Sequence, residues 1–144
     1  MAQGRVVRAV PVGFWTGGSN ADGRYELMVE DAHYLREVPL HFHETQEDSF
    51  FILDGVLTVQ IGEDVVELNP GDFAAVPPGV AHSFTNTDPV RKARMLNIMS
   101  PAVGFDRLVA AVTTGAPMAE LAVLAKEFGL HVVGPSLSKK LGLL

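Results

Sequence analysis

The chain has 144 residues, 47% of them hydrophobic and 19% charged, which suits one globular domain able to bury a core without covalent staples. It contains no cysteine, so disulfide and thiolate chemistry are excluded and any metal must be held by nitrogen and oxygen. The formal net charge of −6 argues against sequence-independent binding to nucleic acid, which depends on clustered Lys and Arg.

The first eight residues carry Arg5 and Arg8 with no long apolar run behind them, so no signal peptide is expected, and no apolar run is long enough to span a bilayer. The expected location is cytoplasmic. Residues 1–24 read as an edge strand followed by the turn-rich segment Gly17 to Gly23. Phe14 and Trp15 in this stretch could cover a barrel mouth or reach a partner, although core packing is the preferred reading of both. Tyr25 to Asp31 alternates as a strand does.

From residue 38 to 100 short strand-like runs recur: Ser49 to Leu53, Val56 to Ile61, Asp64 to Leu68, Phe73 to Val76, His82 to Asn86 and Ala93 to Ser100. Turn signals separate them, notably Asp54-Gly55, Asn69-Pro70-Gly71-Asp72 and Pro77-Pro78-Gly79. Many short strands at such spacing predict a sandwich or barrel. After Pro101 the period changes. Phe105 to Val112 and Ala119 to Phe128 predict helices, with Gly115 and Gly129 as stops. Gly134 to Leu144 gives no clear pattern.

The candidate chemistry lies in the histidines. His41 and His43 are two apart, so on a strand both imidazoles point to one face. Asp48 follows five residues after His43, beside Glu47, where a short turn would return a carboxylate to the pair. His82 opens a later strand. Imidazole and carboxylate without sulfur suit Fe, Mn, Ni, Cu or Zn. A lone His-x-His pair in a β protein is more often structural, and His33 and His131 are isolated enough to be read that way. By alternation, Phe50 and Ile52 share the face of Asp48, and Phe84 shares that of His82, so these three would wall a pocket. Phe73, Met95, Leu96 and Ile98 are expected to fill or line the same barrel. Phe51, Leu53 and Leu57 would then lie on the outer face and need cover from the tail or a second subunit.

The run Gly71, Pro77, Gly79, His82 and Asn86 has the spacing of the second cupin motif, and His41-x-His43 with Asp48 and Gly55 resembles the first. The tail from Pro101 to Pro135 is similar to the C-terminal extension of small bacterial quercetin-dioxygenase-like cupins. The resemblance implies an all-β jelly-roll barrel over about residues 8–100, with a short helical tail over about 101–144, in one domain. It also implies one divalent transition metal held by His41, His43, His82 and a carboxylate. Leu35 stands where the family's first motif opens with glycine, and Asp48 stands where the family has a longer glutamate. Asp48 ranks ahead of Glu47, which a regular strand would turn to the opposite face unless a bulge intervened.

The implied activity is a metal-dependent dioxygenase acting on an enol, flavonol or catechol-like small molecule, with Asp48 or Glu47 as general base. Two alternatives stay open: a metal-dependent isomerase or cyclase, and a non-enzymatic small-molecule-binding cupin. A homodimer is expected, with neither nucleic acid nor membrane as partner.

Overall fold

The structure is a computed structural model that describes residues 6, 8–13, 15–16 and 23–144. Phe14 and the side chain of Trp15 lie outside the described residues. Among the described residues, ten strands form two antiparallel five-stranded sheets. The first sheet holds β1 (Trp15–Thr16), β2 (Glu26–Ala32), β9 (Ala93–Ser100), β4 (Glu47–Asp54) and β7 (Phe73–Val76), in that order. The second holds β10 (Leu130–Ser136), β3 (Pro39–His43), β8 (His82–Thr85), β5 (Leu57–Ile61) and β6 (Asp64–Leu68). Apart from the β1–β2 and β5–β6 pairs, consecutive strands alternate between sheets, so the chain wraps a single core as a jelly roll does.

Alternation decides which side chains enter that core. On β9, Ala93, Met95, Asn97 and Met99 are buried, while Leu96 and Ile98 between them are only half-buried. On β4, Asp48, Phe50 and Ile52 point inward and Phe51 and Leu53 outward. The core joins Phe50, Ile52 and Met95 from the first sheet to Leu57, Val59 and Phe84 from the second.

Three sequence expectations need correction. Leu57 is fully buried rather than outward, because the Asp54-Gly55 turn breaks the parity carried from Phe51 and Leu53. Phe73 is 58% exposed, on the outer face opposite Phe51. Leu96 and Ile98 stand one residue out of phase with the inward set and so do not line the barrel.

The predicted helices are present as α1 (Asp106–Thr113) and α2 (Met118–Glu127). The tail then returns to the barrel, which the sequence did not reveal. β10 pairs antiparallel with β3, with register shifts around Gly134. Gly and Pro within a strand are tolerated at edges and bulges, and β10 is an edge. The short helix α3 (Leu137–Lys140) then packs behind β8, with Leu137 N donating to Ser83 Oγ and the Thr85 and Ser138 hydroxyls 2.8 Å apart.

Candidate metal centre

Both sheets contribute to one buried cluster. β3 carries His41 and His43 on the same face, with ring centroids 5.1 Å apart. His82, at the start of β8, pairs in register with His41 and brings its ring to 4.4 Å from it. Asp48 projects from β4 in the opposite sheet, its Oδ2 2.9 Å from His82 Nε2 and 3.5 Å from His43 Nε2. One ligand atom from each of His41, His43, Asp48 and His82 lies within 4.8 Å of the others, and all four residues are buried. The aspartate is therefore long enough to enter the cluster despite replacing a longer residue. Glu47 is exposed and points away from it, as strand parity requires.

Local turns aim the rings. His41 Nδ1 donates to Pro39 O at 2.7 Å, and His82 Nδ1 donates to Val80 O at 3.0 Å. A carbonyl can only accept, so these bonds assign the Nδ1–H tautomer and leave each Nε2 lone pair facing the cluster. The Pro77-Pro78-Gly79 turn ties β8 to β3 through Gly79 N, which donates to His43 O at 2.8 Å. His43 is buried with neither ring nitrogen hydrogen-bonded. Buried polar atoms are rarely left unpaired, and an ion in the cluster would satisfy His43 Nε2, the nitrogen that faces Asp48. The residues thus fit a cation with nitrogen and oxygen ligands.

The electrostatics point the same way. Burial, then the neighbouring His82, lowers the pKa of His41 from 6.5 to about 4. Burial would raise that of Asp48, but the neighbouring His43 and His82 imidazoles outweigh it and hold the carboxyl well below its ordinary range. Near neutral pH the site therefore presents a neutral imidazole and an anionic carboxylate, the forms a metal requires.

The His41 shift has a consequence for the metal-free protein. Its native form stays unprotonated where the unfolded chain takes up a proton, so stability is present above pH 6.5 and is lost as pH falls toward about 4. The loss from this group is about 3 kcal/mol. Thermal melts between pH 8 and pH 4.5 should show it, and His41→Asn should flatten that step.

Asn97 was not singled out from the sequence. Its Nδ2 donates to Asp48 Oδ1 at 2.6 Å and to Ser49 O at 2.9 Å, holding the carboxylate against β9. The available signal was a polar residue at an inward position of an apolar strand. Asn97→Ala should weaken metal binding roughly 10–100-fold, the usual cost of losing an outer partner of a ligand. Titration against a competing chelator measures this.

Phe50 packs 6.3 Å from His82, beside the cluster, and 5.7 Å from Phe84. Ile52 lies further along β4, paired with Met95 in the core. Of the isolated histidines, His33 is exposed and donates to Tyr34 O. His131 stacks on Phe42 and pairs with Glu44 at the surface.

The Cupin domain profile matches residues 27–99, half of the chain and all four clustered residues. The chain belongs to the cupin family. This cupin is 31% identical over 65 residues to quercetin 2,3-dioxygenase of Bacillus subtilis, covering 45% of this chain and 19% of that enzyme. It thus spans about a fifth of the length of that relative. Among solved structures, a cupin protein from Bacteroides fragilis superposes with a TM-score of 0.55 at 20% identity, covering 71% of this chain and 86% of that one. A conserved protein with a double-stranded β-helix domain from Klebsiella pneumoniae gives 0.54 at 22% identity, covering 67% and 82%. At these identities the structures establish the shared fold. Among the described residues no helix is long and apolar enough to cross a membrane.

Proposed function

We propose that this cupin binds one divalent transition ion through His41, His43, Asp48 and His82, and uses it in a dioxygenase reaction on an enol, flavonol or catechol-like small molecule. The observation that carries the reading is the convergence of imidazole nitrogens and one carboxylate in a buried site beside the ring of Phe50, which packs on Phe84. The partial relationship to quercetin 2,3-dioxygenase supports the choice of reaction. Bound there, the ion supplies Lewis acidity and a template for substrate and oxygen. The chain contributes the rest. Phe50 and Phe84 exclude water and offer aromatic faces to a planar ligand. Asn97 orients Asp48, and Asp48 is the carboxylate placed to accept a proton from a substrate hydroxyl. Glu47, exposed, takes no part.

The test is oxygen uptake by protein loaded separately with Fe, Mn, Ni, Cu or Zn and offered flavonols, catechols and diketones. Uptake with at least one pairing is expected. Turnover of such a substrate without oxygen would replace the reading by an isomerase or cyclase, and one bound metal with no turnover would favour a binding protein.

The same reading includes a homodimer. Phe51, Leu53 and Phe73 form an exposed apolar patch at the β4–β7 end of the first sheet, and a second copy is its proposed cover. Light scattering at micromolar concentration should report a dimer, and Phe73→Lys should dissociate it.

A further inference from the structure

The segment that leaves β9 crosses the barrel end nearest the metal centre before entering α1. It is tied there by two buried side chains outside the ligand set. Glu26 on β2 is fully buried, and both its carboxylate oxygens are used. Oε1 accepts from Phe105 N at 2.6 Å, and Oε2 accepts from Val103 N at 3.0 Å and from Gln46 Nε2 at 2.9 Å. The same Gln46 amide donates to Pro101 O at 2.8 Å. Gln46 lies in the short connection between His43 and Asp48, so one network links the ligand-bearing strands to residues 101–105. Its product is the placement of Phe105, whose ring packs 5.6 Å from His43 and 6.3 Å from the buried Phe128. His43 is 2% exposed under this cover.

We propose that Glu26 is a positioning residue that locks the 101–105 strap across the barrel end and so holds Phe105 as the roof over His43. A carboxylate suits the task because both oxygens must accept. An amide at this position would turn an N–H toward an N–H donor on one side. Gln46 is the second half of the lock, joining Glu26 to Pro101 O. The role rests on reading the histidine cluster as the metal centre, but the roof itself can be tested without metal.

The experiment is residue-resolved modification by diethylpyrocarbonate of the metal-free protein, followed by mass spectrometry. His33 and His131 are exposed and serve as internal standards, and His82 reports on the core. In the wild type His43 should react slowly. In Glu26→Gln and in Phe105→Ala it should react about tenfold faster or more, since local opening controls access, while His82 keeps its protection. Phe105→Leu, which retains an apolar cover, should restore much of the protection. Unchanged His43 reactivity in the variants overturns the proposal. So does a parallel rise at His43 and His82, which would mean general loosening. If Glu26→Gln does not fold, Phe105→Ala decides alone. Extraction of Co(II) by a chelator should also be about tenfold faster in both variants. A wild type that takes up no metal defeats the metal reading while leaving the modification result to judge the strap.

Discussion

His82→Ala should abolish stoichiometric metal uptake. His82 is the residue around which the cluster is arranged: its ring lies 4.4 Å from that of His41 and 5.4 Å from that of His43, and its Nε2 is 2.9 Å from the Asp48 carboxylate. Its orientation is set by the bond to Val80 O. Losing an outer partner of a ligand costs roughly 10–100-fold in affinity, and losing a ligand should cost more. The effect on stability is readable too. A metal at about a thousand times its dissociation constant stabilises the native state by about 4 kcal/mol. For a chain of this size that corresponds to roughly 10 °C in Tm. The wild type should show that rise on metal addition and His82→Ala should show none. His131→Ala, at the exposed pair with Glu44, should behave as wild type. Equal metal content in His82→Ala and wild type, by elemental analysis after desalting, would remove His82 from the site.

What the sequence made legible was local or periodic. His41 and His43 declare a shared face because a strand has a period of two, and the Gly-Pro-Gly punctuation before His82 marks a turn feeding a new strand. Parity does not survive a turn: counting through Gly55 puts Leu57 on the outer face, and it lies in the core. Where it needed contacts between distant segments, there was nothing to count. Asn97 and Asp48 are 49 residues apart, and Glu26 and Phe105 are 79 apart. Both pairs meet only because β2, β9 and β4 lie side by side in one sheet. The choice between Asp48 and Glu47 is of the same kind. Both are carboxylates next to each other, and the inward parity of β4, seen in the burial of Phe50 and Ile52, separates them. β10 was hidden by its own composition, since Gly134 and Pro135 argue against a strand except at a sheet edge.

Gly55→Ala should be among the most destabilising single-methyl additions in this protein. Gly55 lies between β4 and β5 with φ of +72°, a region that side chains other than glycine enter at a cost of about 1–3 kcal/mol. Strain is only half of it. A Cβ at this position would stand 2.4 Å from Lys92 O and 3.0 Å from Ala93 Cα, both backbone atoms at the start of β9. No flexible side chain can swing aside there, so β4 and β9 would have to separate, and forcing atoms into a packed site typically costs a further 1–3 kcal/mol. Together these suggest roughly 2–6 kcal/mol, a large part of the roughly 5–15 kcal/mol that holds an ordinary domain folded. Gly71 and Gly79 separate the two contributions. They too have positive φ, at +91° and +82°, but a Cβ on either meets nothing within 4 Å. Gly71→Ala and Gly79→Ala should therefore carry the backbone cost alone. Urea unfolding of the three variants would measure the difference, and a Gly55→Ala cost no greater than that of Gly71→Ala would refute the close approach. The contact also bears on the metal site, because β4 and β9 carry Asp48 and Asn97. Any Gly55→Ala protein that remains folded should show a weakened Asp48–Asn97 bond, read as lower metal affinity, whereas Gly71→Ala should bind metal as the wild type does.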